Sequence, residues 1–388
     1  MSADFDVAAI LATMPAAPPL PEPAGKIVRI RDAEAFCAAV ERAEPHSTLL
    51  LEDGHYRMPH AVQLTASHVQ IRSASGHRDA VVIDGEGGNL TRGEGDWNHA
   101  PAILRLKRAC DVTIAGVTFK NSPKYAVLFY GDSGVHGLTL HDVKFHNIWV
   151  RGLKGTHPMR PDDRELGEKN YSPEKVEEIR PRNGRVRHCL FLCDRVKDDR
   201  QDGFDGDYIS GVDCMGLKDW VFSDNTFIGI RGANGGGRAG IFIWQGSTGV
   251  VCERNLFVGC DRGISYGNFS QKTVSVAGGA IRDNRFALGS NTAIECCTTR
   301  DIDVHGNTIV DTGANRYYAV RFLAGNDGAR FRENILSGSL GVDETVRMER
   351  NVIGTFGAAC FADPLRGNFT LTEKGREALG AFAAARLS

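Results

Sequence analysis

Five aspartates lie within ten positions of the stretch DDRQDGFDGDYISG, residues 198–211. They are Asp198, Asp199, Asp202, Asp205 and Asp207. Carboxylates this close together can bind a hard cation, act as catalytic acids and bases, or form a turn that only faces water. Asp202, Asp205 and Asp207 are the candidate calcium ligands, although their spacing matches no EF-hand loop. Which of these roles applies depends on the elements that position the side chains.

Composition excludes several classes of function. The 388 residues carry a formal net charge of −2, so the chain lacks the basic surface of a nucleic-acid-binding protein, and no such partner is expected. No apolar run approaches the length of a membrane span. The absence of a basic leader predicts a cytoplasmic location, or a secreted or periplasmic one if the natural leader is missing. The ten cysteines have no metal-site spacing, and most of them are expected to be small buried residues in a reducing compartment.

A unit containing one asparagine recurs along the second half of the chain. Its period of roughly 23 to 30 residues is typical of a solenoid. Alternating apolar residues and glycine-rich turns around each unit favour short strands, and stacked asparagines are expected to bond from coil to coil. The sequence therefore predicts an all-β fold, a single-stranded right-handed parallel β-helix. The units are DNTF at 224, RNLF at 254, DNRF at 283, GNTI at 306, ENIL at 333 and RNVI at 350.

With these repeats, the chain resembles the pectin-lyase-like superfamily of right-handed parallel β-helix proteins, which includes polysaccharide lyases, hydrolases and epimerases. The segment AFCAAVERAEPHSTLLLEDGHYRM resembles a capping helix that leads into first coils, and CFADPLRGNFTLTEKGREALGAF resembles a closing segment with a terminal helix. The resemblance implies an N-terminal extension at 1–26, a β-helix at 27–370 with an inserted loop at 155–183, and a C-terminal helix at 371–388. One fold hosts many chemistries, so the resemblance does not fix the function.

A second recurring element, a small residue followed by an aliphatic one, aligns the coils. Because side chains alternate along a strand, the residue after each inward aliphatic residue points outward. The predicted inward column is Val127, Leu153, Ile209, Ile241, Ile264, Ile294 and Val320. The predicted outward column is Leu128, Lys154, Ser210, Phe242, Ser265, Glu295 and Arg321.

Outward cations, carboxylates and an aromatic ring on adjacent coils indicate a surface for a sugar chain. The alternative is that these residues form ordinary ion pairs on an exposed sheet. The insertion at 155–183 begins beside Lys154 and is either a lid over this surface or a surface excursion. The candidate catalytic residues are Lys154, Asp207, Arg238 and Arg262. The candidate substrate-binding residues are Arg151, Trp244, Glu295 and Arg321.

Three functions remain open from the sequence. The first is β-elimination on an acidic polysaccharide or oligosaccharide, or the related C5 epimerisation, with Lys154 as the base and Arg238 and Arg262 bracketing the uronate. Calcium is the cofactor that these residues suggest, and no organic cofactor is expected. The second is hydrolysis by paired carboxylates, with Asp205 or Asp207 opposite Glu295 or Asp202. The third is a non-catalytic β-helix that binds glycan or serves as a structural module. The sequence does not predict an oligomeric state.

Overall fold

The computed structural model describes residues 5–90, 101–157, 172–195, 197, 200, 202–271, 273–288, 291–312, 318–342 and 344–387. The chain divides into two compact units. The first unit contains residues 17–190 and 212–221, and the second contains residues 1–16, 191–211 and 222–388. Each unit is built from short parallel strands that recur in three sheets.

In the first unit the chain passes from one sheet to the next and returns to the first sheet once in each coil. Sheet 1 contains Lys26–Ile30, Ser47–Leu51, Gln70–Ser73, Thr113–Ala115, Thr139–His141 and Arg185–Arg187. Sheet 2 contains Val62–Leu64, Ala102–Leu106, Tyr125–Phe129, Arg151–Gly155 and Ser210–Met215. Sheet 3 contains Gly54–Arg57, Val81–Asp84, Thr118–Lys120, Lys144–His146 and Leu190–Leu192.

The second unit repeats the same three-sheet arrangement. Sheet 1 contains Val221–Ser223, Val251–Glu253, Ala280–Arg282, Asp303–His305, Arg330–Arg332 and Arg347–Glu349. Sheet 2 contains Ala239–Trp244, Ser247–Thr248, Ile264–Tyr266, Val276–Ala277, Ile294–Arg300, Val320–Asp327 and Leu340–Gly341. Sheet 3 contains Thr226–Ile228, Leu256–Val258, Arg285–Leu288, Thr308–Asp311, Ile335–Ser337 and Val352–Gly354. Phe361–Asp363 and Asn368–Leu371 form a separate antiparallel pair.

Helices are few and short in the described part of the chain. The predicted capping helix is Ala33–Glu41, which begins where the Asp32 carboxylate accepts the Ala35 N–H at 2.8 Å. The predicted C-terminal helix is Glu373–Leu387, interrupted at Gly380. The other α-helices are Val7–Leu11 and Pro173–Ile179, and single 3₁₀ turns occur at Arg78–Ala80, Ala358–Cys360 and Pro364–Arg366. No helix in the described residues has the length and apolar character needed to cross a membrane.

The predicted asparagine ladder runs through the second unit. The Oδ1 atom of Asn284 accepts the backbone N–H of Asn255 at 3.0 Å, and Asn307 accepts that of Asn284 at 3.0 Å. The residue before each ladder asparagine is left-handed, such as Asp224 at φ 58°. In that conformation the asparagine that follows directs its side-chain amide along the stack. There the amide bonds backbone groups that the turn would otherwise leave without hydrogen bonds. The full ladder is Asn225, Asn255, Asn284, Asn307, Asn334 and Asn351.

Stacked aromatic and aliphatic residues fill each coil. In the second unit, the rings of Phe191, Phe227, Phe257 and Phe286 stack at centroid separations of 4.5, 4.7 and 4.7 Å. Nine of the ten cysteines are buried and Cys110 is half-buried, and all ten are free thiols. The expected packing role of the cysteines is therefore confirmed for nine of them.

The alignment of the coils is largely as predicted. Ile241 pairs with Ile264, Ile264 with Ile294, and Ile294 with Val320, and all four are fully buried. In the first unit Val127 pairs with Leu153 in the same way. The outward residues that follow them are therefore placed side by side on neighbouring strands.

Candidate functional site

The first unit holds a buried ion cluster on the outward side of sheet 2. The Asp213 carboxylate accepts from Arg151 Nε at 2.7 Å and lies 3.0 Å from Lys154 Nζ. The side chains of Asp213 and Arg151 are 2% and 1% exposed, and that of Lys154 is 8% exposed. Lys124 lies beside them, since its carbonyl oxygen accepts the Arg151 N–H at 2.9 Å, and the charges of Arg151 and Lys154 lower the pKa of its amine. We call these four residues the Asp213 cluster.

The charges of the Asp213 cluster do not balance. Burial raises the pKa of Asp213, but the neighbouring Lys154 and Arg151 outweigh burial, so that the pKa lies well below its usual range. Asp213 is therefore a carboxylate. Burial lowers the pKa of Lys124, and the positive charges of Arg151 and Lys154 lower it further. Among the described residues three basic side chains lie against one carboxylate, and this excess of basic groups favours an anionic ligand.

Sequence reasoning missed Asp213 because it aligned the wrong residues with Lys154. The strand runs from Ser210 to Met215, with Val212 fully buried and Asp213 at the outward position. The predicted placement of Ile209 in the inward column and Ser210 in the outward column is therefore wrong. The signal was present, since Gly211, Val212 and Asp213 also form a small, aliphatic and outward triplet.

Asp207 precedes this strand and does not belong to the outward column. Its Oδ1 atom accepts the Asn234 N–H at 2.9 Å. A Cβ atom on Gly232 would meet the same oxygen at 2.1 Å, and one on Gly236 would meet Oδ2 at 2.5 Å. The carboxylate therefore packs into a glycine-rich loop. These contacts hold the loop in place, whereas the sequence assigned Asp207 to catalysis and to metal binding.

The other acidic residues of the opening stretch have separate partners. Asp202 accepts the backbone N–H groups of Phe204, Gly206 and Tyr208 at 2.8, 2.9 and 2.8 Å, and it pairs with the buried Lys197. Burial raises the pKa of Asp202, but these bonds more than reverse the effect and lower it strongly.

Asp205 is 72% exposed and lies 3.3 Å from Arg200. Asp198 and Asp199 lie outside the described residues. No group of three His, Cys, Asp or Glu side chains within the described ranges could hold a metal ion. The predicted calcium set of Asp202, Asp205 and Asp207 is therefore not brought together, because each carboxylate is bonded to protein groups.

A second ion cluster lies on sheet 2 of the second unit. Glu295 pairs in register with Ser265 on one side and Arg321 on the other. Its carboxylate contacts Arg321 and lies 3.4 Å from Arg262 Nη1. The side chains of Arg262 and Glu295 are 16% and 7% exposed. We call Arg262, Glu295 and Arg321 the Glu295 cluster, and it unites three of the predicted site residues.

Polar atoms beside the Glu295 cluster lack hydrogen-bond partners. They are Arg262 Nε and the hydroxyl oxygens of Ser265 and Thr292, all buried. Burial lowers the pKa of Arg262, Glu295 raises it, and the nearby Arg321 and Arg238 lower it again. Buried donors without partners are costly, so an arrangement of this kind is typical of a surface that binds a polar ligand.

Arg238 and Trp244 are held by aromatic contacts in the second unit. The Arg238 guanidinium lies 4.5 Å from the Phe204 ring centroid and 5.9 Å from that of Tyr208. Trp244 is half-buried, and its ring stacks on Phe242 at 5.2 Å, so one face of the indole is covered by protein.

A missed carboxylate, Asp261, positions Arg238. Its Oδ2 atom accepts the N–H groups of Gly232 and Gly237 at 2.7 and 2.9 Å. Because Arg238 directly follows Gly237, this clamp fixes where the arginine side chain begins. Asp261 therefore accepts hydrogen bonds from both ends of the loop RGANGGG, and Asp207 accepts one from the residue Asn234 between them.

Comparisons with known proteins found similarity in structure only. No family model matches the chain, and no curated protein matches it. An alginate lyase from Paenibacillus sp. str. FPU-7 superposes with a TM-score of 0.51 at 13% identity, covering 85% of this chain and 99% of the lyase. The polygalacturonase of Erwinia carotovora ssp. carotovora gives 0.52 at 9% identity, with 88% and 96% covered.

PfbA, a surface adhesin of Streptococcus pneumoniae, gives a TM-score of 0.51 at 13% identity, covering 83% of this chain and 87% of the adhesin. The chain is a right-handed parallel β-helix. The predicted fold class is thereby confirmed, and the low identities extend no further than the fold.

The β-helix brings the predicted site residues into two sets. Arg151 and Lys154 meet at Asp213 in the first unit, and Arg262, Glu295 and Arg321 meet in the second. The insertion begins directly after the strand that carries the first set. Residues 158–171 of the insertion lie outside the described residues, and its second part contains the helix Pro173–Ile179.

Proposed function

We propose that this β-helix binds an acidic, uronate-containing polysaccharide or oligosaccharide and acts on it by β-elimination or the related C5 epimerisation. The observation that carries the proposal is that, among the described residues, three basic side chains surround the buried Asp213 carboxylate. A cationic surface at low dielectric favours an anionic sugar. The names of two structural neighbours, an alginate lyase and a polygalacturonase, support a glycan partner.

The Asp213 cluster suits the first step of both reactions. Removing the proton at C5 of a uronate requires the charge of the adjacent carboxylate to be neutralised, because negative charge accumulates there in the transition state. Arg151 and Lys154 are anchored by Asp213 and therefore offer cations that need no rearrangement. The contact of Lys154 with a buried carboxylate favours this electrostatic role over the predicted role of Lys154 as the base.

Paired-carboxylate hydrolysis is less well supported. A glycosidase needs a general acid whose pKa is raised, and a second carboxylate nearby. The pKa of Asp213 is lowered, and its oxygens are bonded to two cations. Glu295 is likewise held between Arg262 and Arg321. Neither carboxylate is arranged to deliver a proton to a glycosidic oxygen.

The Glu295 cluster is proposed to bind sugar carboxylates or hydroxyls in the second unit. Arg262 and Arg321 present two guanidinium groups to one carboxylate, and the neighbouring hydroxyls of Ser265 and Thr292 have no protein partner. The Arg321 side chain is 20% exposed and can therefore still contact a ligand. Arg321→Met is therefore expected to raise KM more than it lowers kcat.

The test is a panel of uronate polymers, assayed by the ultraviolet absorbance of the unsaturated sugar that elimination creates. A parallel measurement of reducing ends detects hydrolysis. Wild type is expected to produce absorbance on at least one polyuronate, and Lys154→Met to lose about 10²-fold or more in kcat. Lys175→Met is the control, since this lysine is 44% exposed and, among the described residues, forms its ion pair with Glu178 on the helix Pro173–Ile179.

Three results would contradict parts of the proposal. Reducing ends without absorbance would point to hydrolysis, and binding without any turnover would point to a glycan-binding module. Full activity of Lys154→Met would remove the Asp213 cluster from the mechanism. Addition of a chelator tests the calcium expectation in the same assay. Loss of activity with chelator, and its recovery when calcium is added, would indicate a bound calcium ion.

A further inference from the structure

Lys124 is a lysine that sequence reasoning overlooked, and the fold places it at the edge of the Asp213 cluster. It directly precedes the strand Tyr125–Phe129. Its carbonyl oxygen accepts the N–H groups of Val150 and Arg151 at 3.1 and 2.9 Å. These bonds fix its backbone beside the first residue of the neighbouring strand, where Arg151 turns towards Asp213.

Within the part of the chain that the structure describes, the side chain of Lys124 has no acidic partner, unlike the other two cations. Arg151 and Lys154 both contact Asp213, whereas no carboxylate of the described residues lies within 4.0 Å of the Lys124 amine. The Lys124 amine instead lies 5.5 Å from the ring centroid of Tyr125. The residue is half-buried, so a ligand can reach the amine.

We propose that Lys124, rather than Lys154, is the base that removes the C5 proton of the bound uronate. The inference rests on the proposed function and assigns a specific role within it. A lysine acts as a base when it loses its proton easily, which requires burial, neighbouring cations and no carboxylate to hold the charge. Lys124 meets these conditions, and Lys154 fails the last one.

Burial and the neighbouring cations act in the same direction on Lys124, and only the Tyr125 ring opposes them. Burial lowers its pKa most, followed by the positive charges of Arg151 and Lys154. The Tyr125 ring offers a weak attraction for the charged form at 5.5 Å. The neutral amine of Lys124 therefore forms more easily than that of an exposed lysine.

The step balances without an added oxidant or reductant. The neutral Lys124 amine takes the C5 proton and becomes an ammonium ion, and the electrons of the C5–H bond form a double bond between C4 and C5. The bond from C4 to the leaving oxygen breaks with its electron pair, and water protonates that oxygen. In the epimerisation the C4–O bond stays intact, the uronate carboxylate holds the electron pair of the C5–H bond as an enolate, and water then returns a proton to the opposite face of C5.

The test compares Lys124→Arg, Lys124→Gln and the control Lys107→Arg. Lys107 is an exposed lysine that also lies beside a tyrosine, at 5.7 Å from the Tyr130 ring centroid. Both Lys124 variants are expected to lower kcat by about 10²- to 10⁴-fold, the usual effect of losing a general base. Lys124→Arg keeps the positive charge, so its KM is expected to stay within about threefold of wild type.

A second measurement on the wild-type chain does not depend on turnover. Trace acetylation with acetic anhydride over a pH series, read by peptide mass spectrometry, reports the pKa of each lysine. Acetylation of Lys124 is expected to reach half its maximum at a lower pH than that of Lys107. Equal profiles for the two lysines would overturn the proposal.

The outcomes separate the two levels of the argument. Wild-type activity with a low Lys124 profile and inactive Lys124→Arg supports the proposal. Wild-type activity that Lys124→Arg retains assigns Lys124 to charge and overturns its role as the base, while the proposed function stands. Absence of proton removal by wild type on all polyuronates refutes the proposed function, and with it the role of Lys124.

Discussion

Replacing Asp213 by alanine is expected to destabilise the first unit strongly. The carboxylate is 2% exposed and lies 2.7 Å from Arg151 Nε and 3.0 Å from Lys154 Nζ. Its removal leaves two buried cations without their counter-ion. Breaking a buried pair by deleting one partner costs about 3–5 kcal/mol. At about 1.4 kcal/mol per factor of ten, the ratio of folded to unfolded protein falls roughly 10²- to 10³-fold.

The measurement is urea denaturation followed by tryptophan fluorescence in a Trp244→Phe background. This background removes the only tryptophan of the second unit, so that the signal comes from the first unit, where Trp220 is fully buried against Phe129 at 5.3 Å. Glu44→Ala is the control within the same unit, because this carboxylate is 64% exposed and its pair with Lys26 is worth about 1 kcal/mol at most.

Replacing the whole triad tests the explanation itself. Arg151→Met, Lys154→Met and Asp213→Leu together remove the cations along with the carboxylate. A buried ion cluster exchanged for apolar residues is usually neutral or stabilising. The triple variant is therefore expected to recover most of the stability that Asp213→Ala loses. An Asp213→Ala variant within about 1 kcal/mol of wild type would refute the reasoning, since it would mean that water or movement already compensates the cations.

Three further predictions concern other contacts. Asn284→Ala is expected to destabilise the second unit by about 2–4 kcal/mol, because the Asn255 N–H and the Cys252 carbonyl lose bonds of 3.0 and 2.9 Å; denaturation with unchanged stability would contradict the ladder. Gly232→Ala brings a Cβ atom to 2.1 Å from Asp207 Oδ1, so it is expected to lower the free energy of unfolding by about 1–3 kcal/mol and to raise KM. Gly54→Ala is the control and should be tolerated, because its nearest contact is at 3.6 Å. Equal behaviour of the two variants would argue against the contact between Asp207 and the loop. Burial, and then the charges of Arg187 and His188, lower the pKa of His141 in the folded protein. The stability that this histidine contributes above about pH 6.5 should therefore decline as the pH falls through the lower folded-state pKa. A His141→Gln variant whose stability shows the same decline would exclude this histidine as the cause.

The fold could be predicted from the sequence because each repeat carries the residues that pack one coil against the next. Each asparagine of the ladder occupies one buried position per coil, and the aliphatic residue of each sheet 2 strand points into the same column. A periodic constraint of this kind is visible in one sequence. For the same reason, the neighbours Glu295 and Arg321 could be predicted from their spacing, as the register confirms.

The Asp213 cluster could not be predicted fully because the repeat is broken just before it. The stretch Tyr208–Ser210 has an aliphatic residue followed by a polar one, and Gly211–Asp213 repeats this order three residues later. Only the fold decides between them, by placing Asp213 against Lys154. Lys124 gave no signal at all, because it lies outside the strand and its importance comes from burial and from cations one coil away.

The acidic stretch misled for a different reason. Several carboxylates close in sequence suggest a shared ligand, but glycines and left-handed residues turn the chain between them. Asp205 itself has a φ of 52° and Gly206 one of 88°. Asp202 consequently binds the backbone of its own turn, and Asp207 binds the loop at Asn234. Side-chain direction in such turns is not encoded in spacing.

The central claim is that this protein removes the C5 proton of a uronate, and proton NMR in D₂O tests it most directly. A polyuronate incubated with wild type is predicted to yield either an unsaturated terminal sugar or deuterium at C5. The same polymer with its carboxylates reduced to alcohols is predicted to remain unchanged, because it has no acidic C5 proton. Retention of the C5 proton in every polyuronate, or cleavage of the reduced polymer at the same rate, would contradict the account.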